Sequence, residues 1–560
     1  LIVTGLIILV VIIMGITALI NKYTPTKKTE DLKEYFNISS DDEAALIVDN
    51  ELSDYKAKII DKKIYVDYKF VHDSLNSRFY WDANENVLLY TTASDIISAA
   101  ADSNSYSVTK QTNDFGYPIV KATSDSALIA LDYVKQYSNI TFKSYDDPAR
   151  IVITSKWDEI DSATVSKSTQ VRVKGGIKSP ILKEVKKDDK ITILDSGDKW
   201  DKIATEDGVI GYIKGKALSE SKKTKLTNPD YEEETFTHIK KDKDICLAWN
   251  QVTSQSANSK VPQVISSTKG INVMSPTWFY LNDNNGNLAD IASKDYVSYC
   301  HSQGIEVWGL FSNFENTDVD AAYVLTHTST RTTLINQIMS AAFNYELDGV
   351  NIDFENITEA AYGDSYIEFI RELAIKCHNN GISLSVDVTV PASFNKFFNR
   401  SDMANFADYI VIMGYDEHYK GSDAGSVSSI PWVTEGVEST LKEVPADQII
   451  LGMPFYTRIW ELTPKEDDDA VTDTEDQSKY TVASQVYSMD AAAAQLATNN
   501  ATAALDEESG QNYAEWSVSN KLYKVWLEDT TSLEKRLKLV DDNKPVSYTH
   551  LRAHETRHDL

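Results

Sequence analysis

In the stretch Asp348-Gly-Val-Asn-Ile-Asp-Phe-Glu355, the polar residues Asn351, Asp353 and Glu355 alternate with Val350, Ile352 and Phe354. On a β-strand alternate residues share a face, so the apolar set turns to one side and the polar set to the other. Two carboxylates at i and i+2 lie about 6–7 Å apart between Cα atoms. At that range the charge on one opposes ionisation of the other, and the pair can keep one carboxylic acid protonated near neutral pH. That is the requirement of general acid catalysis. The plainer alternative is an acidic strand end paired with Lys or Arg of neighbouring loops.

Such a strand needs a sheet to hold it. From about residue 241, strand patterns recur at Asp244–Trp249, Ile271–Ser275, Glu306–Phe311, Asp348–Phe354, Ser383–Thr389, Tyr409–Met413 and Ile449–Met453. Helical or loop segments follow each, as at Thr333–Asn344 and Tyr366–Asn379. Alternating strands and helices imply a parallel sheet. This many units over such a length predict an α/β fold, a (β/α)8 TIM barrel with one element unaccounted for. The polar set then faces the barrel interior at the C-terminal end of its strand, where active sites of this fold are built. A buried barrel strand is otherwise apolar on both faces, so three interior polar residues in register point to function.

The stretch resembles the Asp-x-x-Asp-x-Asp-x-Glu signature of glycoside hydrolase family 18, with Asn351 in place of the second Asp. The version Asp-Gly-Val-Asn-Ile-Asp-Phe-Glu-Asn is similar to the branch of bacterial spore-cortex and cell-wall N-acetylglucosaminidases. The resemblance implies Glu355 as proton donor and Asp353 as the carboxylate that orients the substrate's N-acetyl group. The N-acetyl oxygen then attacks the anomeric carbon, a substrate-assisted retaining route outside the two-carboxylate scheme. Asn351 keeps a hydrogen-bonding amide but has no proton to relay.

Ile410-Val-Ile-Met-Gly-Tyr-Asp416 resembles the family's Met-x-Tyr-Asp, with Met413 and Tyr415 on one face. The resemblance implies that Tyr415 donates to the N-acetyl oxygen and that Asp416 helps to hold the sugar. Leu451-Gly-Met-Pro-Phe-Tyr-Thr-Arg458 resembles the seventh-strand segment, with Tyr456 and Arg458 reaching the cleft. Trp249, Trp278 and Trp308 stand at or near earlier strand ends, where an indole either stacks on a sugar face or packs in the core. Trp249 is carried forward as a substrate contact. No metal or cofactor is implied.

Beyond Trp460 the run Glu-Leu-Thr-Pro-Lys-Glu-Asp-Asp-Asp-Ala-Val-Thr-Asp-Thr-Glu-Asp reads as a solvated acidic loop without calcium-loop spacing. Residues 460–530 are similar to the family's α+β insertion between strand seven and its helix. The helix Ser532–Val540 runs into Pro-Val-Ser-Tyr-Thr-His-Leu-Arg-Ala-His-Glu-Thr-Arg-His-Asp-Leu, which offers no apolar strand and no Trp. Residues 546–560 are therefore expected to be a non-native tail. The eighth strand is expected to be missing, the barrel to be open between strands seven and one, and the chain to fold poorly with little activity.

Upstream of the barrel domain (241–545) the expected order is a membrane anchor at 1–21, a stalk-like α+β domain at 41–157 and a small β-barrel at 163–219. Residues 1–20 carry no charge, and about 20 residues at a rise of about 1.5 Å span a bilayer core of about 30 Å. A cleavable signal peptide is the alternative. Lys22, Lys27 and Lys28 follow the span, yet a large downstream mass translocates largely regardless of charge, so the barrel is expected outside the cell, on the wall side of a single-pass span. Strand–helix–strand patterns around Ile64–Thr92 and Tyr117–Thr154 resemble the stalk domain named for the N-terminus of copper amine oxidases, without a His cluster for copper. Short strands at Val171–Val173, Lys190–Leu194, Trp200–Ala204 and Val209–Ile213 resemble bacterial SH3-type domains, which implies wall peptidoglycan as a partner. Trp200 and Tyr212 are either ligand-facing or core. Residues 220–240 read as a polar linker.

Asp plus Glu number 84 against 55 Lys plus Arg, a formal charge of −29, which excludes the basic footprint of a nucleic-acid binder. The three cysteines, Cys246, Cys300 and Cys377, read as buried thiols. Together these patterns predict a membrane-anchored glycosidase of N-acetylglucosamine-containing glycans, peptidoglycan before chitin. A carbohydrate-binding protein of the same fold with weak or no turnover, and a wall-attached scaffold using the stalk for protein contacts, are the alternatives.

Overall fold

The computed structural model describes residues 2–355, 357, 362–465, 477–543 and 547–552. The chain divides into two compact units, Leu1–Tyr90 with Ile97–Glu234, and Thr91–Ile96 with Thr235–Leu560. Both the acidic loop after Lys465 and residues 553–560 lie outside the described residues.

The first unit begins with the helix Ile2–Tyr23. Its segment Thr4–Tyr23 is apolar, exposed and long enough to cross a membrane. A seven-stranded sheet follows, in the order Thr141–Tyr145, Arg150–Thr154, Glu43–Val48, Glu51–Ile60, Lys63–Asp67, Ala127–Ala130, Val120–Ala122. Glu43–Val48 and Arg150–Thr154 run parallel, and the other neighbours run antiparallel. The helices Tyr68–Ser74 and Leu131–Tyr137 bury Phe70, Val71, Leu131, Tyr133 and Val134 against it. Ala127–Ala130, just ahead of the helix Leu131–Tyr137, is a strand. It lies between two antiparallel partners, whose backbone groups it satisfies.

A second seven-stranded antiparallel sheet has the order Ile181–Val185, Thr169–Arg172, Ile210–Lys214, Trp200–Thr205, Lys190–Asp195, Glu159–Thr164, Lys222–Lys225. Part of the expected linker is thus an edge strand. Its residues Lys-Lys-Thr-Lys are exposed and show no apolar pattern, but their backbone pairs with Glu159–Thr164 and Lys223 bonds Asp161. Ala45 and Ile47 of the first sheet share a core with Val165, Val171, Ile203 and Val209 of the second. Trp200 and Tyr212 are half-buried, and both lie close to Gly175.

The second unit is a closed eight-stranded parallel barrel. Its strands, in order, are Cys246–Asn250, Val273–Leu281, Glu306–Ser312, Gly349–Asp353, Ser383–Thr389, Tyr409–Met413, Ile449–Pro464 and Ser547–Arg552. Each pairs with the next, and Ser547–Arg552 pairs with both the seventh strand and the first. The expectation of a missing eighth strand and an open barrel is therefore corrected. Thr549 stands opposite Leu247 on one side and Gly452 on the other. Two flanking strands offer unpaired N–H and C=O groups, and any extended segment without proline can bond them, apolar or not.

Two cores follow from strand alternation. Val350, Ile352, Phe354, Leu384, Val386 and Val388 turn outward to the helices, with Phe369, Ile370 and Leu373 among their partners. Leu247, Trp249, Val273, Trp308, Leu310, Tyr409, Val411 and Ile450 fill the interior. The seventh strand continues out of the barrel and pairs antiparallel with Tyr480–Ser488 and Lys521–Leu527. Gln511–Val518, Ala504–Asp506 and the helix Met489–Thr498 complete this insertion, and the helix Thr530–Asn543 returns the chain to the barrel.

Candidate active site

Asp348 belongs to the opposite end of its strand from the site. Its Oδ2 accepts from the Val307 amide at 2.8 Å and meets His301 Nε2 at 2.8 Å. It pins the third and fourth strands together at their N-terminal ends. Three residues on, Asn351 is buried in the barrel interior. Its Oδ1 accepts from Trp249 Nε1 at 2.9 Å and Ser275 Oγ at 3.0 Å, and its Nδ2 donates to Asp387 Oδ1 at 2.8 Å. Asp353 is buried, and Glu355, just past the strand end, is half-buried.

The sixth strand delivers Met413, Tyr415 and Asp416, all half-buried. Met413 stands between Thr389 and Gly452 in the register. Tyr415 packs edge-on to Trp249 and to Tyr456, each at 6.3 Å between ring centroids. Burial pushes its phenol well above the ordinary value, and Asp353, Asp387, Glu355 and Asp416 push it in the same direction. The phenol is therefore a hydrogen-bond donor throughout the working range. Asp416 takes a positive φ of 61°, tolerated by Asp, and accepts from Tyr456 Oη at 2.7 Å. Burial first, then Asp416, raises the Tyr456 phenol as well.

The structure thus brings Asn351, Asp353, Glu355, Tyr415, Asp416, Tyr456 and Trp249 around one space. Arg458 is buried close enough to Tyr456 to act on its phenol, and its Nη1 donates to Ser484 Oγ of the insertion at 3.2 Å. Trp278 and Trp308 are core residues, the first bonded to Asn258 and packed on Tyr296, the second bonded to Glu306 and stacked on Tyr409. All three cysteines are buried, and burial pushes the Cys300 thiol up to about 12.

Three participants escape a reading of motifs. Asp387 is buried in the fifth strand, Ser275 in the second, and Gly452 lies in the seventh. A Cβ at Gly452 would stand 3.2 Å from Trp249 Cη2 and 3.3 Å from Tyr415 Cε1, so the missing side chain makes room for both rings. A signal for Asp387 was present. In Ser383-Leu-Ser-Val-Asp-Val-Thr389 polar residues alternate with apolar ones, the same interior pattern as in the fourth strand.

Residues 308–546 match the sequence model of glycosyl hydrolases family 18. The matched segment contains most of the third strand, the fourth to seventh strands, and every site residue named above except Trp249 and Ser275. Among curated proteins, the glycosylase YvbX of Bacillus subtilis is 25% identical over 194 residues, covering 32% of this chain and 55% of that protein. The cortical fragment-lytic enzyme of Bacillus subtilis is 23% identical over 268 residues, covering 46% of this chain and 59% of that protein. The chain therefore spans little more than half the length of these relatives. Among solved structures, a chitinase from Chromobacterium violaceum ATCC 12472 superposes with a TM-score of 0.48 at 18% identity, over 56% of this chain and 96% of that one.

Proposed function

We propose that the barrel is a retaining glycosidase acting on N-acetylglucosamine-containing glycans, with peptidoglycan preferred to chitin-like polymers. Glu355 protonates the leaving glycosidic oxygen as its bond to the anomeric carbon breaks. The substrate's own N-acetyl oxygen forms the new bond at that carbon, and water later opens the cyclic intermediate with Glu355 acting as base. Asp353 receives the N-acetyl N–H. Tyr415 donates to the N-acetyl oxygen. Asn351, Met413, Asp416, Tyr456, Arg458 and Trp249 form or support the sugar site.

The observation that carries this reading is the setting of Tyr415. A phenol kept protonated by burial stands among Asp353, Glu355 and Asp416 at the C-terminal end of the barrel, so a donor for a carbonyl oxygen and acids for a glycosidic bond share one space. The family 18 match over the same residues supports it. The likeness to a cortical fragment-lytic enzyme favours a cortex-type wall glycan as substrate. The test is release of reducing ends from peptidoglycan and from N-acetylglucosamine oligomers by the wild-type chain and by Glu355→Gln. Loss of at least about 10²-fold in kcat is expected for a general acid; equal rates would sink the assignment.

The reading extends to location. The apolar helix Thr4–Tyr23 serves as a single-pass anchor, with the barrel on the wall side of the cell membrane. Residues 41–157 act as a stalk and residues 163–219 as an SH3-type module that binds wall peptidoglycan. Isolated 163–219 that fails to sediment with purified wall sacculi would remove the last of these roles.

A further inference from the structure

The amide of Asn351 has one accepting end and one donating end, and the barrel engages both. Trp249 Nε1 and Ser275 Oγ donate to Oδ1, which fixes the orientation of the group and leaves Nδ2 to donate to Asp387 Oδ1. The cluster is sealed: Asn351 and Ser275 are 0% exposed, Asp387 3% and Trp249 5%. An aspartate at 351 would accept from Trp249 and Ser275 equally well. It would also set a second carboxylate oxygen against Asp387 at hydrogen-bond distance. The amide at 351 is therefore the residue type that a carboxylate at 387 calls for. The register adds a second relation. Asn351 pairs with Ser385 and Ile352 with Val386; the same register carried one residue further sets Asp353 beside Asp387 at a strand spacing of about 5 Å, and both act on the Tyr366 and Tyr415 phenols. Two buried carboxylates on neighbouring strands oppose each other's ionisation, which favours a single shared proton.

We propose that Asp387 supplies, from the fifth strand, the titratable carboxylate that the fourth strand lacks at Asn351, and that it is a positioning residue acting through Asp353. The inference rests on the glycosidase reading above. In the ground state the Asp353–Asp387 pair holds one proton. As the N-acetyl oxygen closes on the anomeric carbon, positive charge grows on the N-acetyl nitrogen. The proton then passes from Asp353 to Asp387, and Asp353 meets the N–H as a carboxylate. No proton leaves the pair, and Asn351 Nδ2 keeps Asp387 in place. Among the described residues, the groups facing the pair include Glu355 just past the fourth strand, Tyr415 and Asp416 at the end of the sixth, and Tyr366 from the helix Gly363–His378. Asp353 and Asp387 both act on the Tyr366 and Tyr415 phenols, and burial keeps those phenols neutral. Among these groups, Glu355 and Asp416 are then the ones left to titrate.

Asp387→Asn tests this on the full chain, because an amide at 387 can turn its oxygen to Asn351 and keep the hydrogen bond while losing the proton site. With N-acetylglucosamine oligomers as substrate, kcat is expected to fall about 10²-fold, with little change in KM and one ionisation lost from the pH profile of kcat. The swap Asn351→Asp with Asp387→Asn returns one carboxylate and one amide to contact, and is expected to recover about tenfold or more over Asp387→Asn alone. A merely structural Asp387 predicts no loss of an ionisation and no rescue by the swap. If Asp387→Asn does not fold, the swap alone decides: an active, folded swap supports the proposal and an inactive, folded swap overturns it. Wild-type kcat and pH profile in Asp387→Asn, beside an inactive Glu355→Gln, overturn this inference and leave the glycosidase reading intact. A fully active Glu355→Gln overturns both.

Discussion

Tyr415 shows how much of the site is set by what surrounds a side chain. Its hydroxyl is an ordinary phenol in sequence. In the barrel, burial and four nearby carboxylates keep its proton on, while Gly452 leaves space for its ring beside Trp249. A donor fixed before the substrate arrives acts on charge that develops in the transition state and needs no rearrangement to do so. Tyr415→Phe keeps the ring and removes the donor. We expect kcat on N-acetylglucosamine oligomers to fall by about 10²–10³-fold, with KM changing far less; a loss confined to KM would assign Tyr415 to binding alone. Asn351, Asp353, Glu355 and Tyr415 were legible from spacing and motif because strand parity places them. Asp387 was less so: an aspartate on a single strand has no visible partner until closure of the barrel sets it against Asn351. Arg458 was placed toward the cleft by parity with Tyr456. The seventh strand leaves the barrel beyond that point, and Arg458, which acts on the Tyr456 phenol, also meets Ser484 of the insertion, a partner that parity does not name.

At the scale of elements, closure depends on Ser547–Arg552. Both of its neighbours are strands, so every amide within it faces a partner, and a proline there removes a bond and clashes with the ladder. Thr549→Pro is expected to lower stability by about 1–3 kcal/mol, read as a drop in the denaturation midpoint. An unchanged midpoint would show that the strand does not close the barrel in solution. The return from the insertion depends on a buried ion pair. Glu528 bonds Arg536 through both Nη atoms at 2.5 and 2.8 Å and also accepts from Ser532 and Gln511, while Arg536 reaches the Ser428 carbonyl. Burial raises the Glu528 carboxyl, and Arg536 and the other hydrogen bonds pull it down. Glu528→Ala leaves a guanidinium buried without its carboxylate, and about 3–5 kcal/mol of destabilisation is expected in urea unfolding. Sequence patterns located the seven inner strands because each alternates or runs apolar. The eighth was not visible, since its pairing is a property of the backbone and of two neighbours brought together from residues 246–250 and 449–464.

At the scale of the whole molecule, each of the two units has a buried apolar core. The exposed helix Thr4–Tyr23 contributes no core contact to either. Removal of residues 1–23 is expected to shift the protein from the membrane to the soluble fraction and to leave the rate on soluble oligomers unchanged. A truncated chain that still sediments with membranes would place the attachment elsewhere.

The sequence by itself determined what local periodicity and composition control. These are the charge-free helix, the outward and inward faces of the barrel strands, and the acidic motif at the end of the fourth. Period-two alternation and a run of twenty uncharged residues are local facts that every neighbour of the chain must accommodate. Only the tertiary structure decided which segment closes the barrel, that Arg458 meets Ser484 of the insertion, and that the amide at Asn351 lies against the carboxylate of Asp387. Each of these is a contact between residues far apart in the chain, where one hydrogen-bonding end must meet its complement and nothing in either segment alone states what that complement is.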